Sequence, residues 1–315
     1  MPELTVAGRH WTVAAGSNLL DALNQSGVPV PYSCRAGSCH ACLVQCVGGD
    51  VRDSRPDALS PTQRDQGWRL ACQCQVVEDV QIHTFDPQRD GQAAQVTAAD
   101  WLGADVLRLR VTPERALRYQ AGQHLVLWAG DVARPYSLAS LPEEDRFLEF
   151  HLDCREPGRF IDAARKLKGG DPIRLGELRG GALHYNPDWH DKPLWLLAAG
   201  TGLAPLFGLL REALRQHHQG TIRLIHVAHD ATGHYLAKPL VALAAKHENL
   251  TVELLTAAEA PAALAQLRLV SRQTQALLCG HPDRVEAFAK RLYLAGLPRN
   301  QLLADVFLPR ESSAS

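Results

Sequence analysis

Residues 33–42 read SCRAGSCHAC, which sets Cys34, four residues, Cys39, two residues and Cys42 in one short loop. Cys72 follows after another 29 residues. Thiols in this C-x4-C-x2-C…C order are spaced to hold a 2Fe–2S cluster. Two irons need four thiolates, and the sulfurs need hydrogen bonds from backbone N–H groups. Ala36, Gly37, Ser38 and Ala41 are small enough for the loop to wrap closely. Zinc sites instead favour two short Cys/His pairs, which this spacing does not supply. Cys34, Cys39, Cys42 and Cys72 are therefore the expected metal ligands, with Cys46 and Cys74 as bystanders.

The surroundings of the loop predict a small β-rich domain. Residues 3–14 alternate like a strand pair about Gly8. Ser17 or Asn18 is placed to cap a helix over Leu19–Gln25, and Gly27 to end it. Pro29 and Pro31 hold the backbone extended into the Cys-rich loop. Residues 76–85 read as a second strand pair, and the polar run 86–95 as a linker.

The chain has 315 residues, room for two or three domains, and 46% hydrophobic with 21% charged residues marks a soluble globular protein. A net charge of −1 speaks against a nucleic-acid binder. No apolar run is long enough for a membrane span, and no secretory signal is visible, so the expected location is the cytoplasm. Six of the eight Cys lie in the first 74 residues. Residues 1–90 hold 7 Arg and no Lys against 10 Asp plus Glu, a net of −3; the rest of the chain is near neutral.

Residues 95–190 show short β-type runs at Val106–Val111, His124–Trp128, Arg134–Leu138 and Phe147–Leu152, then a helical stretch near Phe160–Leu167. This pattern predicts an antiparallel barrel. Within it, Arg134–Pro135–Tyr136–Ser137 suits a flavin: a guanidinium for pyrophosphate, a ring to stack, and a hydroxyl for the hydride-accepting N5. After Pro193, apolar strands alternate with helices, which predicts a parallel sheet covered on both faces. AAGTGLAP at 198–205 lies between a strand and a helix, so Gly200, Thr201, Gly202 and Pro205 make a candidate dinucleotide turn. Ser312–Ser315 reads as a disordered tail.

Together these segments carry a resemblance. Residues 1–88 resemble a plant-type ferredoxin domain of the β-grasp fold. RPYSLAS, QAGQHL and GRFIDAARKLKGGDPIRLG occur in the order seen in ferredoxin–NADP reductase-like flavin domains. The resemblance implies a fold of β-grasp, flavin-binding β-barrel and α/β nicotinamide domain, at 1–88, 95–189 and 190–315. It implies that Gly158, Arg159, Phe160 and Ile161 open the helix that holds flavin pyrophosphate, although Ile161 stands where a hydroxyl residue is expected and GELRG replaces the usual Gly-Pro-x-Gly turn. It implies that Cys279 and Gly280, in Cys-Gly-His-Pro, approach the nicotinamide and that Phe307 covers the flavin.

NADH over NADPH is expected, because Asp230 follows the second strand of the last domain and no Arg precedes Lys238 there. The ferredoxin-first order is similar to the FAD-using reductase components of multicomponent bacterial oxygenases. The implied route runs from NADH through FAD and the cluster to a protein acceptor, an oxygenase component. The alternatives are a reductase for a deoxysugar dehydratase, similar to CDP-6-deoxyglucoseen reductase, and a redox sensor.

Overall fold

Alternating residues of the strand Glu3–Val6 point Leu4 and Val6 inward, and its hairpin partner Arg9–Thr12 is turned by Ala7 and Gly8, both at positive φ. The computed structural model describes residues 1–32, 34–180 and 182–307, so the expected tail at Ser312–Ser315 lies outside the described residues. The chain forms two compact units. One comprises Met1–Ala93, Leu125–Pro135 and Arg174–Arg179; the other comprises Ala94–His124, Tyr136–Ile173 and the chain from Gly180.

The first unit is built on a five-stranded sheet ordered Arg9–Thr12, Glu3–Val6, Val80–Thr84, Leu43–Gly48, Trp68–Leu70. Helix Leu19–Gln25 lays Leu19, Leu20, Ala22 and Leu23 into the core. Its N-cap is Asn18, whose Oδ1 accepts from the Leu20 and Asp21 N–H groups, worth about 1 kcal/mol. Residues 76–85 do hold two strand segments, but not as a hairpin. Val80–Thr84 pairs with Glu3–Val6 and Leu43–Gly48, while Cys74–Val76 joins a separate small sheet with Ser17–Asn18 and Val51–Asp53. Distant segments offered better edges than the local turn. The expected linker is also shorter: Asp86–Asp90 folds as a turn, and Gln92 already begins the strand Gln92–Leu102. In the same unit Trp128 stacks on Phe85, with ring centroids 5.5 Å apart.

In the second unit, Gln92–Leu102, Val106–Pro113 and Leu148–Asp153 pair antiparallel. Helix Arg159–Ala164 follows, shorter than expected. The chain then builds a five-stranded parallel sheet ordered Leu250–Thr256, Ile222–Ala228, Leu194–Ala199, Gln275–Gly280, Leu302–Val306. Every residue of Leu194–Ala199 and Gln275–Gly280 is buried, as in a strand covered on both faces. The order reverses between those two strands, and ligands of such sheets bind at the carboxyl ends on either side of the reversal. Strands Gln92–Leu102, Pro172–Arg179 and Leu302–Val306 were not legible as strands in the sequence.

Candidate functional site

The Cys-rich loop owes its path to three left-handed residues, Arg35, Gly37 and His40, at φ +47°, +78° and +54°. These reversals turn backbone N–H groups inward: Ala36, Ser38 and Cys39 each donate to Cys34 Sγ at 3.3 Å. Gln73 staples the loop by donating to Arg35 O at 2.8 Å and to Cys72 Sγ at 3.3 Å. Arg55 adds a bond to Ala36 O at 2.7 Å. The helix cap contributes too, since Asn18 Nδ2 donates to Cys72 O at 2.9 Å.

The four thiols come as two pairs. The Cys39 thiol beside it pulls Cys34 well below the ordinary thiol range, and the same contact raises Cys39. Cys42 lowers Cys72 to about 7, with Gln73 helping, and is itself raised. Among the described residues no three His, Cys, Asp or Glu gather as a single-ion site. Two thiol pairs with inward N–H donors fit a two-iron cluster. Cys74 lies in the apolar core, where burial raises its thiol, and Cys46 is likewise raised to about 11 by burial.

Arg134, Pro135, Tyr136 and Ser137 end the strand Val132–Ser137, with Ser137 buried and the other three half-buried. The Tyr136 ring lies 5.2 Å from that of Phe160. Gly158 precedes helix Arg159–Ala164, whose start no side chain caps. A Cβ at Gly158 would meet nothing within 4 Å, so the space before the helix is open. Ile161 is buried and packs in the core, so only backbone N–H groups at this helix start are open to an anion. Tyr136, Ser137 and the open start of this helix fit a flavin.

At the sheet reversal, Gly200–Gly202 forms a 3-10 turn into helix Leu203–Arg215, with Pro205 buried in its first turn. Gly200 has φ +56°. A Cβ on Gly202 would stand 2.3 Å from Cys279 O, and one on Gly280 2.6 Å from Ala199 O. The two glycine turns interlock, which brings Thr201, Cys279 and Gly280 together. The turn sits at the positive end of a 13-residue helix, which favours an anion. Burial raises the Cys279 thiol well above its ordinary range, so it is a neutral group and no nucleophile. Phe307 donates its N–H to Gly280 O at 2.9 Å and packs on the same core. Asp230 is exposed, and its Oδ1 accepts from Thr232 and Gly233 N–H groups to cap the turn Ala231–Gly233.

Sequence reading missed Arg155, paired with Asp153, whose Nη2 stands 4.0 Å from where a Gly200 Cβ would be. It also missed His226, a polar residue in the otherwise apolar end of IRLIHVA, which was the available signal.

Residues 4–77 match the family described as 2Fe-2S iron-sulfur cluster binding domain, and residues 196–291 match the oxidoreductase NAD-binding domain. The chain is 30% identical to the ferredoxin–NAD(P)+ reductase component of the naphthalene 1,2-dioxygenase/salicylate 5-hydroxylase systems of Ralstonia sp., covering 95% of this chain and 96% of that one. It is 31% identical to the reductase subunit of an aromatic O-demethylase from Amycolatopsis sp., over 97% and 98% of the two chains. The crystal structure of an Amycolatopsis cytochrome P450 reductase superposes with a TM-score of 0.65 at 27% identity, covering 98% and 99%. The ferredoxin reductase of carbazole 1,9a-dioxygenase superposes equally well, at 0.65 and 23% identity over 98% of each chain, which shows the shared fold. The matched domains bind a 2Fe–2S cluster and a nicotinamide dinucleotide, and among the described residues no helix is long and apolar enough to cross a membrane. Matched along nearly its whole length by such relatives, and with both domain matches in order, the chain belongs to the ferredoxin–NAD(P)+ reductase components of oxygenase systems.

Proposed function

We propose that this chain draws electrons from NADH and supplies them singly to an oxygenase component in the cytoplasm, where its free thiols stay reduced. When bound, the flavin accepts a hydride and the cluster carries one electron at a time. The observation that carries the reading is the pair of two-thiol sites, Cys34/Cys39 and Cys42/Cys72, in a chain that also has a dinucleotide turn at a sheet reversal. The domain bounds 1–88, 95–189 and 190–315 belong to the same proposal. Arg134 and the N–H groups of Phe160 and Ile161 hold the flavin phosphates; Arg159 flanks them, and Pro135 sets the strand for Tyr136 and Ser137. Gly200, Thr201 and Gly202 hold the dinucleotide pyrophosphate, and Cys279 with Gly280 borders the nicotinamide. Phe307 shields the flavin. Asp230 faces the ribose hydroxyls, and the loop offers no Arg for a 2′-phosphate.

Steady-state kinetics with both dinucleotides test the donor: kcat/KM at least tenfold higher for NADH is expected, and a higher value for NADPH overturns it. Reconstitution with candidate oxygenase components tests the acceptor, with substrate-coupled NADH consumption as the expected result.

A further inference from the structure

We propose that His226 is a positioning residue for the dinucleotide turn, held in the required tautomer by His234 and steadied by Tyr235. The proposal rests on reading Gly200–Gly202 as the pyrophosphate turn. His226 is fully buried in the strand Ile222–Ala228, and its Nε2 lies 3.1 Å from Gly200 O. A carbonyl only accepts, so Nε2 carries the hydrogen. The Leu203 N–H donates to the same carbonyl. Gly200 C=O and Thr201 N–H lie in one rigid trans peptide plane and point opposite ways. Anchoring the carbonyl on His226 therefore aims the Thr201 N–H away from the strand. Gly200, at φ +56°, has no Cβ to restrict it, so this anchor does the restricting.

The second ring nitrogen completes the device. His226 Nδ1 lies 3.2 Å from His234 Nδ1. With Nε2 protonated in a neutral ring, Nδ1 accepts and His234 donates. Burial, with the neighbouring His234, keeps His226 neutral by lowering it to about 4. Next along, the Tyr235 ring meets His226 edge-on at 5.9 Å, and its hydroxyl lies 3.2 Å from His151 Nδ1. His151 Nε2 lies 3.0 Å from Glu149 Oε1, and Glu149 pairs with Arg110 at 2.7 Å. The Glu149 carboxylate only accepts, so His151 Nε2 is the donor there. The loop that carries Asp230 is thereby tied to the turn through two imidazoles.

The test uses the intact holoprotein with ferricyanide as acceptor. His226→Phe keeps a ring but loses both bonds. It should raise KM for NADH about 10- to 100-fold, weaken ADP-ribose inhibition by the same factor, and leave kcat within about twofold and flavin content unchanged. His226→Gln, whose amide nitrogen reaches as far as Nε2, should recover most of the loss; His226→Asn, which is shorter, should not. His234→Phe should raise KM several-fold. Wild-type KM and ADP-ribose inhibition in His226→Phe, or equal KM in the Gln and Asn variants, overturns the proposal, and the second comparison stands if the Phe variant fails to fold. Amide shifts of Thr201 and Gly202 in the wild-type protein on adding ADP-ribose separate the two readings. Absent shifts overturn the turn assignment itself; shifts without a His226 effect overturn only the positioning role.

Discussion

Cys72 lies beside the Cys42 thiol, whereas Cys74, two residues on, is fully buried and its thiol is raised chiefly by burial. Cys72→Ser should therefore lose most cluster absorbance while keeping flavin, and Cys74→Ser should keep about two irons per chain. Iron and flavin assays decide it, and an empty site in Cys74→Ser would reverse the ligand choice. Two other buried groups set an acid response. A free His takes its proton near 6.5, but buried His226 holds out until about 4. Its neutral form thus stabilises fully above 6.5, and about 3 kcal/mol is lost as pH falls from 6.5 to 4. Burial alone would raise Glu149, but the hydrogen bond and charge of His151, with Arg110, outweigh it and hold the carboxyl at about 2. Its contribution is present above 4.5 and lost between 4.5 and 2. Thermal midpoints should fall below pH 6.5, and His226→Phe should flatten the decline between 6.5 and 4.

At the scale of elements, the two glycine turns are where backbone meets backbone. Gly202→Ala would drive a Cβ to 2.3 Å from Cys279 O, so a strand must move. A loss of about 1–3 kcal/mol is expected, with weaker NADH binding. Gly158→Ala is the contrast: its φ of 174° suits any residue, and the new Cβ meets nothing. Its folding stability should stay within about 0.5 kcal/mol of wild type, while FAD retention falls if that open space takes phosphate. Equal melting behaviour in the two variants would contradict the interlock.

For the whole molecule, the chain does not part cleanly at residue 90. Residues 125–135 and 174–179 belong to the N-terminal unit, where Trp128 stacks on Phe85 and Gln63 donates to Glu177 at 2.9 Å. A cut there would uncover Trp128, so the electron route is better tested in the full chain. Cys72→Ser should keep NADH-driven ferricyanide reduction, because small oxidants take electrons from flavin directly. It should lose most cytochrome c reduction, and the wild-type rate should fall with salt, since residues 1–90 carry −3 against a basic acceptor. Undiminished cytochrome c reduction in that variant would mean the cluster is not the exit.

Local chemistry was legible wherever a motif occupies one stretch of chain. The Cys34–Cys42 spacing, the cap at Asn18, and the glycine turn after a buried strand each follow from neighbours within a dozen residues. The sequence by itself thereby determined the cluster type, the domain classes and the order of the cofactors. Pairing was decided only in three dimensions. Cys74–Val76 and Val80–Thr84 went to different sheets because a strand's hydrogen bonds are satisfied by whichever edge packs best, however distant. Likewise, His226 reads as one polar residue in an apolar strand. Its meaning depends on Gly200, 26 residues earlier, and on a loop that folds back to present His234, because burying an imidazole costs free energy that hydrogen-bond partners for its nitrogens offset.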